Sequence, residues 1–295
     1  MSGPVFVGSI TALITPFKSG RVDETAFQSF VDWQISEGTE GLVSCGTTGE
    51  SPTLSHEEDM RVTALCVEVA NGRVPVIAGT GSNSTEEAIL LTRHAKEVGA
   101  DAALVVTPYY NKPTQEGLYQ HYKAIHEAVD LPIVIYNIPG RSIVDMSVDT
   151  MKRLADLPRI IGVKDATADL VRPALTKIAI GEDFAQLSGE DATVVPFLAQ
   201  GGHGCISVTS NVAPRLCADL HAAWKRRDFD TVAEVNARLM PLHQALFAES
   251  NPAPVKFAAS LLGHCDNELR LPMIAVSRET EAKVRDAMVH AGLLN

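Results

Sequence analysis

Lys164 closes the run Ile160-Ile161-Gly162-Val163-Lys164-Asp165. Four small or aliphatic residues lead into the lysine, and polar sequence follows in Ala166-Thr167-Ala168-Asp169. A short apolar run bounded in this way reads as a strand buried on both faces. Lys164 then stands where that strand leaves the sheet. A lysine in such a place is ion-paired, or snorkels to water, or is put to use. The use is Schiff-base chemistry, because a desolvated ammonium loses its charge readily and the neutral amine attacks carbonyls. At an ordinary pKa of about 10.4, only about one lysine in a thousand is neutral near pH 7.4. Lowering that pKa by about three units takes about 4 kcal/mol of burial and neighbouring charge.

The companions that a Schiff base needs stand at the ends of other apolar runs. Gly46-Thr47-Thr48-Gly49-Glu50 offers turned backbone N–H groups and two hydroxyls, a nest for a carboxylate. It is not a phosphate loop, since no lysine follows its second glycine. Tyr109 and Tyr110 lie in Thr107-Pro108-Tyr109-Tyr110-Asn111, where aromatic packing is the plainer role. Tyr136 ends a buried run and Arg141 follows a turn later, giving a proton donor and a carboxylate clamp. Taken singly, Arg141 reads as a solvated surface arginine. Ser188-Gly189-Glu190-Asp191 and Ile206-Ser207-Val208-Thr209 follow two further runs. Together these groups supply an amine, an anchor for a keto acid and a phenol to relay protons through a carbinolamine. The nine histidines suggest no metal site. His121 and His126 are five apart on a helical pattern, hence on different faces, and His203 reads as a loop residue before the last strand.

The elements that must position these residues recur at regular intervals. Strand patterns fall at 6–13, 41–44, 74–79, 102–107, 132–136, 160–164, 184–187 and 205–208. Amphipathic helical patterns fill the gaps. Ser55 with Glu58, and Ser84 with Glu87, fit capping boxes. Gly38, Gly72 and Gly99 stand where helices close. Eight alternations over about 210 residues predict a (β/α)8 barrel, with a doubly wound sheet as the alternative. Beyond Asn211 only helical patterns remain, at 214–225, 229–247, 254–262 and 279–291. The expected division is a catalytic barrel over 1–227 and a helical C-terminal domain over 228–295. In a barrel, catalytic groups come from the C-terminal strand ends, where all the groups above fall.

Composition narrows the partners. The 295 residues are 45% apolar and carry a net charge of −11 without charge blocks. That argues against a nucleic-acid partner, though not against a small anionic substrate. Cys45, Cys66, Cys205, Cys217 and Cys265 are odd in number and widely spaced, which favours reduced thiols over a disulfide framework or zinc. No basic residue precedes Lys18, and no apolar run approaches a membrane span. A soluble cytoplasmic protein is expected.

GTTGE at 46–50, TPYYN at 107–111, YNIPGR at 136–141, GVKDAT at 162–167 and GGHGCISVTSN at 201–211 resemble the dihydrodipicolinate synthases. These belong to the N-acetylneuraminate lyase group of class I aldolases. The likeness covers nearly the whole chain, including NPAPVK at 251–256 and LRLPM at 269–273. It implies condensation of pyruvate with L-aspartate 4-semialdehyde, the first committed step of the diaminopimelate route to lysine. It implies no cofactor beyond the covalent imine of Lys164 with pyruvate, and no metal. Thr47 and Thr48 would hold the pyruvate carboxylate, and Tyr136 would shuttle protons. Thr47 would link Tyr136 to Tyr110 lent by a neighbouring subunit, so the working unit would be at least a homodimer; family members are commonly tetramers. Arg141 would bind the second substrate's carboxylate, and the backbones of Gly189 and Ile206 would line the site. An L-lysine effector site would match Ser51, His56, Asn83, Glu87 and Tyr109. Pro52 and Asp59 depart there from the forms of lysine-sensitive members. The rivals are an N-acetylneuraminate lyase or keto-sugar-acid aldolase, which Arg141 disfavours, and a non-catalytic keto-acid-binding paralogue, which the retained Lys164, Tyr136 and Tyr110 disfavour.

Overall fold

The computed structural model describes residues 6–295. In chain order it begins with β1 (Gly8–Ala12), the small antiparallel pair β2 (Phe17–Lys18) and β3 (Arg21–Val22), α1 (Glu24–Ser36), β4 (Gly41–Ser44) and α2 (His56–Ala70). Next come β5 (Val76–Gly79), α3 (Thr85–Glu97), β6 (Ala102–Val106), α4 (Gln115–Ala128), β7 (Ile133–Asn137), α5 (Pro139–Ser142) and α6 (Val148–Ala155). Then follow β8 (Ile160–Asp165), α7 (Arg172–Ile180), β9 (Ala185–Ser188), α8 (Val194–Ala199) and β10 (Gly204–Ser207). The chain ends in α9 (Pro214–Arg226), α10 (Phe229–Ala245), α11 (Ala253–Leu261) and α12 (Arg278–His290). Eight parallel strands close into a barrel in the order β1-β10-β9-β8-β7-β6-β5-β4. The expected (β/α)8 architecture is present, and the doubly wound sheet is set aside.

Contacts group the chain into two compact units, one built on Pro75–Ile206 and the other on Gly8–Val74 with Ser207–Asn295. In the first, the strands are apolar on both faces; Ile77, Val105, Ile133, Ile135, Leu187 and Ile206 are fully buried. Tyr122 on α4 is also fully buried, and its hydroxyl donates to the Val105 carbonyl at 2.7 Å. The pairing of β7 with β8 shifts by one residue. Ile133 pairs with Ile160, but Val134 pairs with Gly162, so Ile161 is an extra residue. A one-residue slip turns every later side chain to the other face. Here the bulge sets Lys164 level with Tyr136. Gly162 just beyond it allows β9 to approach closely, since a Cβ there would lie 2.5 Å from the Ala185 carbonyl oxygen.

In the second unit, buried polar side chains tie the strands to the tail. Asn211 accepts from the Ile14 N–H and donates to the Ala12 carbonyl. Gln34 of α1 donates to the Ser210 and Asn211 carbonyls and accepts from Thr11. The four expected tail helices are α9 to α12, each within two residues of its expected limits. Gly38, Gly72 and Gly99 follow α1, α2 and α3 with positive φ, as closing glycines do. Two local expectations are corrected. The β2–β3 pair was not anticipated, although Ser19 and Gly20, both at positive φ, form the two-residue turn that such a hairpin favours. The Ser55 capping box is complete, but the one at Ser84 closes through a third residue. The Ser84 N–H donates to Ser82 Oγ, and that hydroxyl donates to the Glu87 carboxylate.

Among the described residues no helix is long and apolar enough to cross a membrane, and no disulfide forms.

Candidate active site

Among the described residues two lysines are buried, and they differ in their surroundings. Lys256 on α11 is fully enclosed, with Nζ 2.6 Å from Glu50 Oε1. Lys164, 6% exposed at the end of β8, has no carboxylate within ion-pair distance among the described residues. Its amine instead lies 4.3 Å from the centre of the Tyr136 ring. Tyr136, also 6% exposed, is the β7 residue in register with it. Parallel strands place two such residues side by side on one face, so the amine and a phenol are brought together by the sheet itself.

The neighbours of Lys164 leave it little freedom. A Cβ on Gly189 would come within 3.2 Å of Lys164 Cε, 3.2 Å of the Asp165 carbonyl oxygen and 2.7 Å of Ala166 Cβ. Glycine is therefore the residue that fits beside the lysine stem. The Gly189 N–H donates to the Asp165 carbonyl at 2.7 Å and fixes the approach. Ile206 on β10 is fully buried.

Asp165 carries a second network. Arg172, the first residue of α7, donates from Nε to Asp165 Oδ2 at 3.0 Å and from its terminal nitrogen to the Met146 carbonyl at 2.7 Å. It also lies 3.4 Å from Asp145. Asn137, in register with Asp165, donates to Asp145 and accepts from the Met146 N–H. This lattice anchors both ends of the segment that carries Arg141 to the strands carrying Tyr136 and Lys164. Arg141 itself is on the short α5 and is exposed. Its positive charge is felt at Glu190, as is that of Lys164. Burial, and secondarily the neighbouring Asp191, hold the Glu190 carboxyl above its ordinary range against those two cations. In the sequence Glu190 stands only as part of the strand-end stretch Ser188-Gly189-Glu190-Asp191. Its place beside Gly189 was the available signal.

In the other unit, the 46–50 turn follows β4. The Gly49 and Ser51 N–H groups donate to the Gly46 carbonyl, and the Glu50 N–H to that of Thr47. Among the described residues, the N–H groups of Thr47 and Thr48 have no acceptor. Two consecutive free donors in a turn make an anion nest. Thr48 is buried, and its hydroxyl oxygen accepts from Asn251 Nδ2 at 3.0 Å, which leaves its own hydrogen available to a ligand.

Tyr110 is 90% exposed with φ 69°, and Tyr109 beside it is 39% exposed. Asn111 joins this stretch to Asn83, donating from Nδ2 to the Asn83 carbonyl at 2.9 Å. Glu87 is engaged with Ser82, and the Ser51 hydroxyl donates to Asp59 at 2.9 Å. His56 opens α2 on an exposed turn. Among the described residues no group of three or more His, Cys, Asp or Glu side chains is arranged to hold a metal ion.

Three comparisons bear on this arrangement. The model of the dihydrodipicolinate synthetase family matches residues 5–291. A 4-hydroxy-tetrahydrodipicolinate synthase of Rhodospirillum centenum is 71% identical over 98% of this chain and 100% of its own length. The crystal structure of dihydrodipicolinate synthase from Aquifex aeolicus is 48% identical, covers 98% of this chain and 99% of that one, and superimposes with a TM-score of 0.96. The chloride-inhibited enzyme from Acinetobacter baumannii, solved in complex with pyruvate, is also 48% identical, with the same coverage and a TM-score of 0.95. Matched by that family model over almost its whole length, the chain belongs to the dihydrodipicolinate synthetase family.

Proposed function

We propose that this chain condenses pyruvate with L-aspartate 4-semialdehyde to give 4-hydroxy-tetrahydrodipicolinate, by way of an imine on Lys164. The observation that carries the reading is the buried Lys164 amine, without a carboxylate partner and set against the Tyr136 ring. The 71% identical relative bears the name of this synthase, and the Acinetobacter baumannii relative was solved with pyruvate. The lyase and keto-sugar-acid aldolase readings have no comparable support.

In the proposed sequence the Lys164 amine adds to the ketone carbon of pyruvate. Tyr136 moves the protons that let the carbinolamine lose water. Loss of a methyl proton turns the imine into an enamine, whose terminal carbon attacks the aldehyde. The amine of the second substrate then displaces Lys164 and closes the ring. Thr47 and Thr48 take the pyruvate carboxylate, Arg141 takes the carboxylate of the semialdehyde, and the backbones of Gly189 and Ile206 line the site. No metal or organic cofactor enters this scheme. We assign the catalytic barrel to 1–227 and the supporting helices to 228–295.

The working unit is proposed as a homodimer at least, and a homotetramer on the family pattern. Tyr110, too exposed to pack within its own chain, suits a residue lent to a neighbour. Val171, Leu175 and Ile178 on or beside α7 form an exposed apolar stripe that suits a further contact between copies. L-Lysine is proposed as an effector at Ser51, His56, Asn83, Glu87 and Tyr109. A cytoplasmic location is proposed, which the free cysteines would suit.

The reading is tested by borohydride reduction in the presence of pyruvate, followed by peptide mass mapping. A reduced pyruvate adduct on Lys164 is expected, and none in Lys164→Ala. Steady-state assays with the semialdehyde, beside assays with N-acetylmannosamine, settle the second substrate. Turnover with the sugar alone would move the chain to the lyases.

A further inference from the structure

A buried charge pair stands behind the 46–50 turn. Glu50 is 3% exposed and has φ 57°, a left-handed conformation that costs a residue with a Cβ. Its carboxylate accepts from Lys256 Nζ at 2.6 Å and from the Arg270 N–H at 3.1 Å. Lys256 lies 3.9 Å from the centre of the Phe17 ring, and Arg270 4.4 Å from the same ring. Arg270 is held in turn by a two-pronged bond to Glu58. Five residues before Lys256, Asn251 donates to the Thr48 hydroxyl. Segments of the helical tail therefore grip the turn at Thr48 and at Glu50. Charge is not needed there for packing. Apolar side chains of similar volume commonly replace such a pair without loss of stability.

We propose that Glu50 and Lys256 are positioning residues for the keto acid: their ion pair, with Asn251, holds the turn so that the Thr47 and Thr48 donors converge on its carboxylate. The inference rests on the function proposed above. Its logic is preorganisation. Two adjacent N–H groups bind an anion well only when their directions are fixed before it arrives. The Glu50 carboxylate fixes one end of the turn, and the Asn251 amide orients the Thr48 hydroxyl so that its hydrogen faces the ligand. The amine of Lys256 takes no part in the reaction, and no bond to substrate is assigned to it.

The test uses Glu50→Gln, which keeps shape and an acceptor for Arg270 but removes the charge, together with Lys256→Met and Asn251→Ala. In each, KM for pyruvate is measured at saturating semialdehyde, KM for the semialdehyde at saturating pyruvate, and the borohydride-trapped fraction at increasing pyruvate. Pyruvate KM and the half-trapping concentration should both rise about tenfold in Glu50→Gln, consistent with one charge-assisted contact. KM for the semialdehyde should stay within about twofold of wild type, well short of that tenfold step. A merely structural role would lower the unfolding midpoint and the active fraction while leaving pyruvate KM alone, and that result overturns the proposal. If Lys256→Met does not fold, the isosteric Glu50→Gln decides. Wild-type enzyme that traps pyruvate beside a Glu50→Gln variant of unaltered pyruvate KM removes the positioning role and leaves the function standing. Wild-type enzyme that traps no pyruvate removes both.

Discussion

Gly189 shows how a backbone residue can set the reactivity of a side chain it does not chemically touch. A Cβ there would overlap Ala166 Cβ at 2.7 Å and crowd the Lys164 stem at 3.2 Å. Gly189→Ala forces Cβ against Ala166 or the lysine stem, and an amine displaced by about 1 Å loses about 10²-fold in rate. Turnover should fall by that order, with a stability loss of about 1–3 kcal/mol from the overlap; an unimpaired Gly189→Ala enzyme would mean that Lys164 is not confined in this way. Glu190 makes a prediction with a sign. Its carboxyl is raised above the ordinary value, first by burial and then by Asp191. The folded state therefore favours its protonated form. Stability from this group is present below the ordinary carboxyl pKa and lost as pH rises through the raised one. Glu190→Gln, neutral throughout, should unfold at higher urea than wild type near neutral pH, with the gap narrowing in acid. An equal gap at every pH would remove the burial argument. At this scale the sequence was legible where a charge interrupted an apolar run, as at Lys164. Lys256 carried the same signal, one charge inside the apolar helix Ala253–Leu261, but the residue that neutralises it lies two hundred positions away.

Between elements, the contact of α3 with α4 contains a group that acid should break. His121 of α4 shares a hydrogen bond with Thr85 of α3 through Nδ1, at 2.9 Å, and its Nε2 is buried without a partner. Burial lowers its pKa to about 4. The unfolded chain, with an ordinary histidine, binds a proton first as pH falls. The stability that the neutral ring contributes is present above about 6.5 and lost as pH falls towards 4, on the order of 3 kcal/mol in all. His121→Gln should flatten the fall in urea midpoint between about pH 7 and about pH 5. A variant with the wild-type slope would place the acid sensitivity elsewhere. Elements were the most legible level of this fold. Helix limits followed caps and closing glycines, because those signals are local. The bulge at Ile161 was not visible, since register depends on which strand becomes the neighbour. The relayed cap at Ser84 was missed for a similar reason: Ser82, outside the four-residue motif, competes for Glu87.

At the level of the assembly, a single chain leaves Tyr110 90% exposed at positive φ, in a turn tied to Asn83 through Asn111. A non-glycine residue held at positive φ is strained, and strain of this kind persists where the surroundings fix it and use it. Sequence alone gave the tyrosine pair but not its exposure, because whether an aromatic packs inward is decided by the turn's conformation. If Tyr110 serves the neighbour's Lys164, the two can be separated genetically and recombined. Lys164→Ala has no imine but a sound Tyr110, and Tyr110→Phe has the lysine but a defective relay to its partner. Each homo-oligomer should be nearly inactive. Mixed, unfolded and refolded together at equal amounts, half of the dimers formed by random pairing contain one of each chain. In those, one of the two sites pairs an intact Lys164 with an intact Tyr110. Activity should therefore return to roughly a quarter of wild type, a gain far above either parent where the tyrosine contributes the 10²–10⁴-fold typical of a proton relay. A mixture no more active than the mean of its parents would mean that Tyr110 acts, if at all, within its own subunit, and the shared site would have to be given up while the Lys164 chemistry stood.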